Sequence, residues 1–76
     1  MLLTKAQAAQ VLPAIAAAVS LKNCQFHMTF GDGVPSSHMI AVLRDGSIYI
    51  AHYQQFKEIE SEPHQNLAAF RVAYGV

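Results

Sequence analysis

The sequence predicts a small α+β domain in which N- and C-terminal helices flank a three-stranded antiparallel sheet, in the order α-β-β-β-α. Three observations carry this expectation. Thr4 and Gln7 form a capping-box pair ahead of a stretch with helical periodicity, strict alternation runs through residues 24–30, and Asp45-Gly46 joins two apolar runs of strand length. At 76 residues the chain suits one core, so residues 1–76 are read as a single domain.

The first helix follows from Ala8, Val11 or Leu12, Ile15, and Ala18 or Val19, which recur every three or four residues and share a face. Pro13 lies inside this pattern, where it lacks the N–H that should bond the Ala9 carbonyl; a kink or a break near Leu12 is expected. Cys24, Phe26, Met28 and Phe30 then alternate with Gln25, His27 and Thr29, as in a strand with one buried face. Gly31-Asp32-Gly33-Val34-Pro35-Ser36-Ser37 is a run of turn formers and predicts a loop.

The second strand is expected over residues 38–44 and the third over residues 47–53, joined by a two-residue type I′ turn at Asp45-Gly46. That turn sets Arg44 against Ser47, Val42 against Tyr49, Ile40 against Ala51 and His38 against Tyr53. Residues 54–60 read as a loop or short turn, although Phe56 and Ile59 also suit a helix and Glu58, Glu60 and Glu62 the solvent side of a strand. The final helix is expected to begin near Ser61 as cap, with Glu62 and Pro63 in its first turn, Leu67, Phe70 and Tyr74 on one face and Gly75 at its end.

Composition narrows the function classes. Hydrophobic residues make up 53% of the chain and charged residues 13%, with five basic and five acidic groups balancing to zero. Without a net field, generic attraction to nucleic acid or anionic lipid is disfavoured. The lone Cys24 cannot form an internal disulfide, which points to a reducing, cytoplasmic setting. Residues 11–19 are apolar behind Lys5, but Gln7, Gln10 and Pro13 argue against a secretory leader, and no uninterrupted apolar run reaches the roughly 18 residues a membrane span needs.

Catalytic and metal-binding patterns are not expected. No two histidines stand at i,i+2, i,i+3 or i,i+4, and no CxxC or HExxH run occurs, so a metal would need tertiary convergence, such as His38 beside Tyr53 with His27 on the next strand. Cys24 sits on the apolar side of its strand, where a thiol behaves as a small hydrophobe. Ser36-Ser37 next to His38 lacks a GxSxG turn and an orienting carboxylate. Gly31-Asp32-Gly33 lacks the lysine of a phosphate-binding loop, and Glu58, Glu60 and Glu62 read as the solvated edge of an element rather than a cation loop.

The α-β-β-β-α order is similar to that of double-stranded-RNA-binding domains, but the similarity ends there. Those domains open their second helix with lysines, where this chain has Ser61-Glu62-Pro63-His64-Gln65.

What rises above background is apolar excess, because neither face of the expected hairpin is plainly polar. Ile40, Val42, Tyr49 and Tyr53 are therefore the expected interface residues, with the aromatic content of an interface core. The competing account is burial of both faces within a monomer. The expected function is a non-enzymatic binding module working through a protein partner or as a homodimer, in the adaptor, inhibitor or antitoxin manner of small phage and mobile-element proteins. No cofactor is expected. The alternative is a small-ligand or metal binder using His27, His38, His52 and the tyrosines, or a weak nucleic-acid binder.

Overall fold

The computed structural model describes residues 1–22, 24–28 and 36–76. The elements run α1 (Lys5–Leu21), β1 (Cys24–Met28), β2 (Ser36–Val42), β3 (Ile48–Gln54), β4 (Lys57–His64) and α2 (Leu67–Tyr74). The α+β class is as expected, but the sheet is a four-stranded antiparallel meander in the order β1-β2-β3-β4, one strand more than the sequence suggested. Thr29, Phe30 and most of the expected Gly/Pro loop lie outside the described residues.

α1 opens as its capping box dictates, with the Gln7 N–H donating to Thr4 Oγ1 at 3.1 Å and the Thr4 N–H to Gln7 Oε1 at 2.9 Å. It runs through Pro13 as one 17-residue helix, so the expected break does not occur. Ala9 and Pro13 both lie on the exposed side, where water can take the place of the hydrogen bond that the proline cannot donate. Ala8, Val11, Ile15 and Ala18 line the buried face, matching the expected periodicity.

The hairpin between β2 and β3 differs from expectation by one residue. The Gly46 N–H donates to the Leu43 carbonyl at 3.0 Å, the Leu43 N–H to the Ser47 carbonyl at 2.9 Å, and Gly46 has φ +89°. This is a three-residue loop closed by a left-handed glycine, not a two-residue I′ turn. Asp45 Oδ1 braces it by accepting from the Ser47 N–H at 2.9 Å and the Ser47 hydroxyl at 2.6 Å, contacts that hold the Asp45 carboxyl below its ordinary range.

Val42 consequently pairs with Ile48, Ile40 with Ile50 and His38 with His52. One residue of slip exchanges the faces of one strand relative to the other. The face that results carries Ile40, Val42, Ile48 and Ile50, none more than 1% exposed. Both helices pack there: Val11, Ile15, Phe70 and Tyr74 complete the core, with Cys24 and Phe26 half-buried at its margin.

β4 replaces the expected loop over residues 54–60. It is reached through Gln55 and Phe56, whose φ values of 53° and 65° make the tight turn between β3 and β4. A bulge between His52 and Tyr53 leaves Ile59 unpaired, so Glu60 and Glu62 fall on the helix side while Glu58 falls on the other. Pro63 lies on this edge strand opposite Tyr49, where its missing N–H breaks no interior ladder. α2 therefore starts later than Ser61, capped by Asn66, whose Oδ1 accepts from the Ala69 N–H at 2.8 Å; Gly75 closes it with φ +70°.

Candidate functional site

Among the described residues, one face of the sheet carries no helix. In register across it stand Gln25 and Ala41 with Tyr49 and Pro63, then Met39 with Ala51 and Ser61, then Tyr53 with Glu58. Met39, Ala41, Tyr49 and Tyr53 are half-buried, and Ala51 is only 1% exposed even though it lies on the face opposite both helices. Its methyl is shielded by position, between Met39 and Ser61 across the strands and between Tyr49 and Tyr53 along its own. The Tyr49 hydroxyl reaches Glu58 Oε1 at 3.4 Å at the rim.

Of the four expected interface residues, the structure separates two from two. Tyr49 and Tyr53 belong to the open face, while Ile40 and Val42 are buried beneath the helices at 0% and 1% exposure. The cause is the longer hairpin loop, and a sequence signal for it existed: only the observed register gathers four β-branched residues on one side. Met39, Ala41, Ala51 and Pro63 take the places of Ile40 and Val42 on the exposed side.

The expected histidine constellation is rearranged as well. His38 lies opposite His52 rather than Tyr53, and their rings stack with centroids 4.8 Å apart and planes 11° from parallel. Parallel stacked rings cannot both aim a nitrogen lone pair at one ion, and no group of three or more possible ligands occurs among the described residues. The backbone of His27 pairs with Met39, one register position from His38, so it is placed on the opposite face. A concavity of about 230 Å³ lined by Cys24, Gln25, Ala41, Val42 and Leu43 is smaller than the roughly 300–1,000 Å³ of small-molecule sites.

A second polar cluster ties the two ends of the described chain together. Glu62 accepts hydrogen bonds from the Leu2 N–H and, at 2.7 Å, from the Tyr74 hydroxyl, and its second oxygen meets His64 Nε2 at 2.6 Å. The Leu3 N–H donates to the Tyr74 oxygen at 3.3 Å. Burial would raise the Glu62 carboxyl, but these donors outweigh it and hold it below its ordinary value. Burial and the adjacent carboxylate push the Tyr74 phenol well up. A phenol held protonated as a donor and a carboxylate enclosed by donors form a structural clasp. Glu62 was read from the sequence as part of a helix start; its role here depends on contacts across 60 residues.

No helix among the described residues is long and apolar enough to cross a membrane. No family model, curated protein or solved structure matches the chain.

Proposed function

We propose that this chain is a non-enzymatic binding module that acts through protein–protein contact, with the open sheet face as its contact surface. One observation supports the reading: a face opposite both helices that carries Met39, Ala41, Tyr49, Ala51, Tyr53 and Pro63, with Glu58 and Gln25 toward its margins. Two tyrosines around a shielded apolar centre, with polar groups outside, have the composition of an interface core and rim. Tyrosine contributes large contact area at low entropic cost and keeps a hydroxyl for the partner or for water.

Replacing Tyr49 and Tyr53 together by Glu tests the proposal. The immobilised wild-type chain should retain a protein from its source lysate saturably, and the double variant, still folded by circular dichroism, should not. Equal retention by both would remove the open face as the contact surface.

A further inference from the structure

The two edges of the sheet are protected to very different degrees. β4 carries the devices that keep an edge from pairing: Pro63, a bulge at Ile59, and Lys57, Glu58, Glu60 and Glu62. β1 has none of them. Its five residues, Cys24, Gln25, Phe26, His27 and Met28, include no Asp, Glu, Lys, Arg or Pro, and its pairing with β2 runs without a bulge. An antiparallel edge strand directs half of its N–H and C=O groups outward, and among the described residues β1 has a partner only in β2.

The helix on that side shows the same feature. α1 packs over β1 and β2, and residues 6–21 contain no charged side chain. Its exposed positions include Ala9, Ala14, Ala16, Ala17 and Leu21, the last 73% exposed. A helix that met only water would ordinarily carry charge on its outer side. Five of the chain's charged residues, Lys57, Glu58, Glu60, Glu62 and Arg71, lie instead on β4 and α2 at the opposite end of the sheet.

We infer that the chain forms a two-fold dimer through β1, which pairs antiparallel with β1 of a second copy so that the two sheets become one sheet of eight strands. Three points select a second copy as the occupant. Antiparallel pairing of a strand with itself satisfies both rows of backbone groups under two-fold symmetry. Cys24–Met28 and residues 6–21 carry no charge, with Lys5 and Lys22 only at the two ends of α1, so this surface meets little repulsion from its own copy and offers little charge for a different partner to match. A five-residue ladder alone falls short of the roughly 800 Å² per partner of a stable interface, so the dimer also requires contact along the adjoining neutral flank of α1. This surface is the sheet's edge and meets the open face at Gln25, but the ladder it forms is made by backbone groups, so the dimer does not depend on the function proposed above.

Light scattering on the full chain over a concentration series, with segment-resolved amide hydrogen exchange, tests the dimer. The mass should rise to twice the 8.3 kDa of one chain, and exchange in Cys24–Met28 should slow by about tenfold in step with it while Lys57–His64 stays unchanged. Gln25→Lys, at an exposed strand position, and Ala16→Lys with Ala17→Lys on the outer side of α1 should each weaken the dimer by tenfold or more, on the order of that seen for like charges brought together at an interface. The exchange measurement on the wild-type chain holds even if a variant fails to fold. A single-chain mass at every concentration, or a dimer whose protection appears in β4 instead, would overturn the inference. Loss of partner capture by the Tyr49 and Tyr53 variant in a chain that is always monomeric would refute only the dimer.

Discussion

Removing one oxygen, with Tyr74→Phe, tests the clasp between the chain ends. The ring is 4% exposed and packs against Phe70 at 4.9 Å and His64 at 5.7 Å, contacts that phenylalanine keeps. What is lost is the 2.7 Å bond to the Glu62 carboxylate and the weaker 3.3 Å acceptance from the Leu3 N–H. A hydrogen bond to a charged group contributes about 1.5–3 kcal/mol, and the Glu62 side chain, 17% exposed, regains little solvation in exchange. The expected cost is about 2–3 kcal/mol, which for a domain of this size lowers Tm by roughly 8–24 °C. Thermal circular dichroism at neutral pH measures it. The Glu62 carboxyl is held below its ordinary value in the folded chain, so its stabilisation is present above the ordinary carboxylate range and lost as pH falls through the lowered value. The gap between wild type and variant should therefore narrow on acidification. A shift under about 2 °C at neutral pH, or a gap that widens in acid, would refute the clasp.

Three further outcomes are expected. Gly46→Val should cost about 1 kcal/mol or more by urea denaturation while Ser47→Ala costs less; the penalty is conformational, since φ is +89° and a Cβ there would meet nothing within 4 Å, and equal midpoints would place the left-handed residue elsewhere. Ile50→Asp should abolish folding by placing an unpaired charge at a site with 0% exposure, whereas Tyr49→Asp should leave the circular dichroism spectrum intact; the reverse pattern would mean that the register is shifted by one residue. Gln55→Asn with Phe56→Gly should stabilise by about 1 kcal/mol, because both residues sit at positive φ and the Phe56 side chain is fully exposed, and an unchanged or lowered midpoint in urea would argue against the tight turn.

The parts of the fold written in local chemistry were legible. Thr4 and Gln7 cap a helix from within four residues, Ala8, Val11, Ile15 and Ala18 mark its buried side by period alone, and Gly46 takes positive φ as its place after Asp45 suggests. β4 was not legible for two reasons. Its entry turn uses Gln55 and Phe56 where the geometry favours Asn and Gly, and its edge position admits Pro63, which as a sequence sign points to a helix start. Glu62 illustrates the same limit, since its partners Leu2 and Tyr74 come from the two ends of the chain.

By itself the sequence determined the α+β class, the first helix and its buried face, and the presence of more apolar surface than charge can cover. Tertiary structure decided which residues that surplus exposes, beyond the hint given by the grouping of β-branched residues. Local propensity admits both a two-residue and a three-residue loop around Asp45-Gly46, and the two differ by a single position in pairing. Side chains alternate with period two, so that one position moves Tyr49 from opposite Val42 to opposite Ala41 and sends Ile40 and Val42 into the core. The choice rests on burying Ile40, Val42, Ile48 and Ile50 together against α1 and α2, a packing free energy that exists only once helices and sheet have met.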